Sequence, residues 1–438
     1  MVLEERMNVI IVGAGISGLF LANCFLAANI NFIILEKEST KKEYHGSDFY
    51  LSPNGIRALD QLGIWNKIKD KGVFTEYIDY IDKNGNKWAT IDWRENEKRY
   101  GYPVFSIVRQ KLLIELWNNI NDENIHIGKK VIDIEQTTNN IKVFCQDSSS
   151  YEGDFIVGAD GAFSKIRKLM YEKIDREILP VTDKEHLKVE YSAIFGVSKQ
   201  SPNIRCNGRL EWHIQPNLSY FLHVQPNNEV TWFLGENSKD NNIKEINKYR
   251  KSDIVDIKNK YKDLLTNHNC KFGDILDRSI VNVNVNLEEK LFETWHNDRI
   301  VLIGDSVHKL LPFAAQGANQ AIEDCVVLTN CLYNHFIVNN KQKTISDLNN
   351  CFKEYQDLRK PRVKKMLDHS RKSRDLINIP NIYYKMMSKL LHNFLPNFVF
   401  IKMMDERYNI RPILVFKDPP KINKTEKYIE PSDYLYSN

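Results

Sequence analysis

"NVIIVGAGISGLFLANCFLAANINFIILEK" (residues 8–37) decides the fold. It opens with an apolar run, Val9 to Val12, and turns through Gly13-Ala14-Gly15-Ile16-Ser17-Gly18. A helical stretch follows, then a second apolar strand, Phe32 to Leu35, closed by Glu36 and Lys37. Residues 9–35 carry no charge, yet Asn23, Asn29, Asn31 and the glycines divide them into strand, turn, helix and strand. That pattern reads as a buried βαβ unit, not a membrane span. Gly13 permits the tight turn, Gly15 admits a phosphate to the backbone, and Gly18 lets helix and strand pack closely. The helix start offers free N–H groups and partial positive charge to an anion. Glu36 follows Gly15 by 21 residues, the spacing at which a carboxylate meets a ribose diol, with Lys37 beside it. This unit alone does not separate NAD from FAD.

Two further stretches do. "YEGDFIVGADGAFSKIRKLM" (151–170) reads as a strand, a Gly158-Ala159-Asp160-Gly161 turn and a helix carrying Arg167. "GDSVHKLLPFAAQGANQAIED" (304–324) leaves the strand "RIVLI" through Asp305 and enters a helix near Gly317 and Ala318. The three, in this order, resemble the glycine, DG and GD fingerprints of the FAD-dependent aromatic hydroxylases, the single-component flavin monooxygenases. The likeness runs from Asn8 to about Arg374. "YLSPNGIRALDQLGIW" (50–65), "VRQKLLIEL" (108–116), "EYSAIFGVS" (190–198) and "EVTWFLGE" (229–236) draw it toward the fungal-type epoxidases of indole-diterpene and meroterpenoid secondary metabolism. Family members tend to carry an arginine after the tyrosine of the third of these stretches. Here that position is Ser192, a departure that bears on whether the chemistry is epoxidation.

The resemblance implies FAD held by Gly13, Gly15, Gly18, Glu36, Lys37, Arg109, Asp160, Asp305, Pro312, Gly317 and Ala318. Asp305 would accept from the ribityl hydroxyls. The helix beginning near Gly317 would face the pyrimidine edge, where reduced flavin carries negative charge. Arg109 would lie near the phosphates and ribityl chain, and Arg167 would tie the DG turn to that region or form a structural salt bridge. His308 reads as a loop histidine and Lys309 as solvated. The implied reaction uses NAD(P)H and O2 through a flavin C4a-hydroperoxide to hydroxylate or epoxidise a hydrophobic aromatic or prenylated small molecule. NAD(P)H would visit transiently, since no second dinucleotide fold is present. The alternatives are a flavin oxidase or reductase without oxygen insertion and a non-catalytic flavin-binding protein. A halogenase is disfavoured by the lack of a WxWxIP stretch.

The expected fold is α/β: a Rossmann-like FAD-binding domain (1–76, 101–180 and 285–340) interleaved with a β-sheet substrate domain (77–100 and 181–284). A C-terminal helical region and tail (341–438) follow. "YIDYIDKNGNKWATIDW" (77–93) reads as a hairpin, by its Asn-Gly turn, that joins the substrate sheet. Residues 243–265 and 345–375 read as helices. Alternation puts Glu211, His213 and Gln215 on one face of their strand, opposite Trp212 and Ile214. Phe221, His223 and Gln225 share a face of the next strand, opposite Tyr220, Leu222 and Val224. His213 and His223 are taken as catalytic contacts to substrate, one of them deprotonating a phenol. The opposite face, with Trp212 and Tyr220, is the other choice.

Composition supports a folded globular chain of two or three domains: 438 residues, 42% hydrophobic, 27% charged. A net charge of +4 in mixed-sign segments gives no nucleic-acid footprint. Seven cysteines without a CxxC pair point to reduced thiols and a cytoplasmic location. No metal-ligand cluster is visible. The apolar stretch "YYKMMSKLLHNFLPNFVFIKMM" (383–404) is broken by lysines and a proline, so it reads as packing on the body, with peripheral membrane contact as the alternative.

Overall fold

In the computed structural model, residues 7–40, 48–199, 208–215, 217–226, 229–237, 255, 258–266, 270–378 and 397–431 are described. The Asn8–Val12 strand is the hub of a six-stranded sheet. It pairs in parallel with Asn31–Leu35 on one side and Phe155–Gly158 on the other, and the latter pairs in parallel with Ile300–Leu302. All four residues of Phe155–Gly158 are buried, as a parallel strand covered on both faces requires. The Ile16–Ala28 helix is apolar nearly all round because it is buried between this sheet and the Gly317–Leu332 helix. It ends at Asn29, whose left-handed backbone (φ 56°) lets its N–H reach the carbonyls of the last turn. A βαβ unit covers the uncharged stretch, and no helix among the described residues is long and apolar enough to cross a membrane.

An eight-stranded sheet forms the second layer, built from Tyr77–Ile81, Lys87–Asp92, Lys188–Lys199, Arg209–Gln215, Leu218–Val224, Glu229–Asn237, Ser279–Leu291 and His308–Lys309. The Tyr77–Ile81 and Lys87–Asp92 hairpin enters it by parallel pairing with Arg209–Gln215. Its turn is held by Asp82, whose Oδ1 accepts from the N–H of Asn84 (2.8 Å) and Asn86 (3.0 Å). The Ser279–Leu291 strand runs straight through the 284/285 boundary expected from sequence. Its ladder to Lys188–Lys199 holds it in the second sheet as far as Lys188 opposite Glu289. The dinucleotide-type sheet resumes only at His296.

Ile345–Asn378 forms one long helix, with Pro361 inside it, packed on Gly317–Leu332. Asn397–Tyr408 forms a last helix. The helix expected over 243–265 and the start of the 383–404 stretch lie mostly outside the described residues.

Candidate functional site

One cavity of about 1880 Å³ runs between the two sheets. The structure places ten of the eleven residues expected at a cofactor around it: Gly13, Gly15, Glu36, Lys37, Arg109, Asp160, Asp305, Pro312, Gly317 and Ala318. Gly18 lies behind it, where a Cβ would stand 1.9 Å from the Gly13 carbonyl oxygen, so its job is helix–strand packing. Gly13 has φ +108°, and a Cβ there would meet the Ala159 oxygen at 2.6 Å.

The glycine-loop end is built to take a ligand. A Cβ at Gly15, Gly161 or Gly317 would meet nothing within 4 Å, so the loops stand back from an open cradle. The helices starting at Ile16 and Gly317 have no side-chain cap, and neither has an acid in its first turn. Their amides remain available to an anion. Glu36 is buried, and its two oxygens accept from the N–H of Ala14 (2.7 Å) and Glu38 (3.0 Å). That fixes the carboxylate at the lip of the cradle with acceptor capacity left over. Asp160 is turned inward: it accepts from Ser164 Oγ (2.5 Å) and the N–H groups of Lys165 (2.7 Å) and Ile166 (3.1 Å). Burial outweighs those bonds and raises its pKa.

Lys129 and Lys130 also line this end. They sit there because the Ile125–His126 strand pairs with Asn31–Leu35 and the Lys129 N–H bonds the Glu36 carbonyl (2.7 Å). Sequence reasoning missed them, since nothing in "IGKKVIDIE" signals a partner more than ninety residues earlier.

Lys309 is half-buried and does not stand free in solvent. It pairs with Asp305 and lines the cavity, held there because His308–Lys309 forms a short ladder with Lys290 and Leu291. Burial pushes the Asp305 pKa up, but Lys309, His308 and Arg109 more than offset it, and the carboxyl stays below its ordinary range. His308 is not a surface loop residue either. It is buried, with Nε2 2.6 Å from Asp324 Oδ2. Asp324 also accepts from the Gly304 N–H (2.9 Å) and from Arg359 Nε (2.8 Å). Arg359 bonds Glu323 as well, and Glu323 accepts from Asn54 Nδ2 (2.6 Å). Burial raises the pKa of both acids, yet Arg362 and Arg359 hold Glu323 down, and His308 and Arg359 hold Asp324 down. This buried network clamps the Gly304 turn to the two long helices behind the cavity. Arg167 has a related role: its guanidinium donates to the Ser306 and Ala162 carbonyls and stacks on Phe292. Ala315, on the cavity wall, is held in the left-handed region (φ 52°), which is unusual for a residue with a side chain.

The other end of the cavity is aromatic and apolar: Tyr50, Tyr80, Trp93, Phe195, Trp212 and Phe221 line it, with Phe313 from the loop opposite. His213 and His223 do not line it, which corrects the sequence reading. The antiparallel register sets Trp212 opposite Phe221 and His213 opposite Tyr220. Residues opposite each other share a face, so the first pair faces the cavity. His213 and Tyr220 stack at 4.4 Å on the far side, near the core of Leu222, Trp232 and Phe272. Tyr220 therefore leaves the cavity as well. His213 is buried, and Glu211 Oε2 stands 3.7 Å from its Nε2. His223 lies one layer behind the wall, its Nδ1 3.2 Å from the Tyr50 hydroxyl. Burial alone lowers its pKa to about 3. Ser192 lines a separate small pocket with Ile194, Glu236 and Lys260.

The C-terminal helix was missed as a wall of the site. Ile401, Met403, Met404, Arg407 and Tyr408 line the cavity, together with Ser373 of the long helix. Local sequence gave no cue, because a tail helix whose apolar and charged residues are not segregated to separate faces does not announce what it packs against.

The sequence profile described as "FAD binding domain" matches residues 6–370. The FAD-dependent monooxygenase atmM of Aspergillus flavus is 33% identical over 379 residues, covering 84% of this chain and 78% of that protein. The FAD-dependent monooxygenase prhF of Penicillium brasilianum is 31% identical over 374 residues, covering 84% and 78%. Among solved structures, Klebsiella pneumoniae HpxO complexed with FAD and uric acid superposes with a TM-score of 0.75 at 17% identity, covering 93% of this chain and 97% of that one. CtdE in complex with FAD and a substrate superposes with a TM-score of 0.70 at 18% identity, covering 85% and 90%. Both structures show the shared fold.

Proposed function

The chain belongs to the FAD-dependent monooxygenases built on the FAD binding domain, and from that premise we propose that it uses NAD(P)H and O2 to insert one oxygen atom into a large hydrophobic aromatic or prenylated molecule. The observation that carries this is the large cavity between the sheets, with anion-binding loops at one end and an aromatic wall at the other. Pockets for one small ligand run to roughly 300–1,000 Å³. At about 1880 Å³ this one has room for a dinucleotide and a sizeable second molecule side by side.

Bound FAD, once reduced, supplies the oxygen activation that no side chain provides. The protein's own contributions follow from the residues present. Gly15 and the amides after it receive the pyrophosphate, and Glu36 receives the ribose hydroxyls. Lys37, Lys129 and Lys130 add positive charge at the same end. Asp305 offers a fixed anionic acceptor, and Arg109 stands on the same wall. The uncapped start of the Gly317–Leu332 helix favours negative charge on the reduced ring. Trp212, Phe221 and Tyr80 present flat faces on which an electron-rich ring or alkene stacks, and the apolar wall keeps water away. Ile401, Met403 and Met404 of the C-terminal helix lie on this wall, which supports packing on the body over membrane contact.

The test is a screen of aromatic and prenylated compounds for substrate-stimulated NAD(P)H consumption by the FAD-loaded enzyme, with products analysed after reaction under ¹⁸O2. One ¹⁸O atom in the product is expected. NAD(P)H oxidation that yields only hydrogen peroxide across the panel would replace the proposal with an oxidase or reductase.

A further inference from the structure

Resting on that reading, we propose that Arg407 and Ser373 form the anchor for an anionic oxygen group, a carboxylate or a phenolate, at one end of an otherwise apolar substrate. Arg407 Nη2 donates to Ser373 Oγ (3.1 Å), and both residues line the cavity. The acids on the same helix are engaged elsewhere. Asp405 accepts from Arg99 (2.9 Å) and from the Tyr100 hydroxyl, and Glu406 stands 3.2 Å from His369 Nε2. Among the described residues no carboxylate pairs with Arg407, and its Nε is buried without a hydrogen-bond partner. Its neighbours on the wall, Ile401, Met403, Met404 and Tyr408, are apolar or aromatic.

A guanidinium set into an apolar wall without a counter-charge is unfavourable unless something completes it. Its planar fork of donors suits a carboxylate, which accepts two parallel bonds. The Ser373 hydroxyl takes one Nη2 hydrogen, leaving the other Nη hydrogens for a ligand. Ser373 and Arg407 both lie past residue 370, where the family match ends. A substrate held this way has an apolar body lying along the aromatic wall and a charged head at the C-terminal helix. The head then selects which carbon of the body is presented for oxygenation.

The experiment measures binding without turnover. The FAD-loaded protein is titrated with 3-geranyl-4-hydroxybenzoic acid and with its methyl ester, followed by quenching of tryptophan fluorescence. Wild type is expected to bind the acid about tenfold or more tightly than the ester, the scale of a hydrogen bond to a charged group. Arg407→Gln should abolish that preference while leaving ester affinity and FAD content within about twofold of wild type. Ser373→Ala, which removes only a hydroxyl, should reduce the preference in part. Equal binding of acid and ester by wild type overturns the proposal. So does an unchanged preference in Arg407→Gln, or a variant that weakens both ligands equally. No oxygenation is measured, so a failure of the monooxygenase reading shows in the ¹⁸O2 experiment and not here.

Discussion

Replacing Gly15 with valine should separate cofactor binding from folding. A Cβ at this position meets no protein atom within 4 Å, and the backbone (φ −77°, ψ −171°) is extended, a conformation valine adopts readily. Gly15 is the N-cap of its helix, where valine is disfavoured by about 0.5–1 kcal/mol. The stiffer unfolded chain returns about 0.4–1 kcal/mol. The two nearly cancel, so the apo protein should keep its stability to within about 1 kcal/mol. The cofactor meets a different situation, since the added methyls occupy the open cradle. Losing two amide bonds to a charged phosphate, at about 1.5–3 kcal/mol each, weakens FAD by about 10²- to 10⁴-fold. Gly18→Ala is the contrasting control: its Cβ would stand 1.9 Å from a backbone oxygen that cannot swing away. It should destabilise the fold by about 1–3 kcal/mol or more. The assay pairs FAD titration by flavin fluorescence with urea unfolding of the apo proteins. Gly15→Val protein that purifies with full FAD, or whose apo form loses more than about 2 kcal/mol, would refute the reasoning.

Trp212→Ala should weaken substrate binding about tenfold with FAD content unchanged, read from the KM for stimulated NAD(P)H oxidation. His213→Phe should leave coupled product formation within about twofold of wild type, because the ring stacks on Tyr220 behind the sheet; a larger loss would return that histidine to the site. Arg359→Met takes the shared cation from buried Glu323 and Asp324, leaving them Arg362 and His308, and should cost about 3–5 kcal/mol in urea unfolding. Acid should weaken the fold through its histidines. Burial lowers His223 to about 3; burial, then the Arg407 charge, lowers His369 to about 4, both from 6.5. Both are neutral when folded and take up protons on unfolding, so their contribution is complete above about pH 6.5. It is lost as pH falls from there toward 4 and 3, at up to about 1.4 kcal/mol per pH unit for each. Urea midpoints at pH 7 and pH 5 check this, and His223→Gln should flatten the difference.

Local chemistry determined the cofactor half of this protein. Gly13, Gly15 and Glu36 can be read from their own neighbourhood because a strand, a glycine turn and a helix N-terminus form a self-contained unit. Asp305 and Gly317 are likewise adjacent in the chain to the strand and helix that aim them. The substrate half depends on pairings between distant segments. Alternation along one strand correctly separated Trp212 from His213, but it cannot say which face is covered. The strand-to-strand register and the Phe272–Leu276 helix packed behind the sheet decided that, burying His213 with Tyr220 and turning Trp212 and Phe221 to the cavity. His308, Asp324 and Arg359 read singly as a loop histidine, a helix acid and a charged helix face. They become a buried ionic network only when two helices close on the Gly304 turn. Arg407 reads as one more charge in a tail, and the tertiary structure sets it in the cavity wall. Backbone turns are local and legible, whereas burial and charge pairing are properties of the assembled chain, and those decide the substrate end of this site.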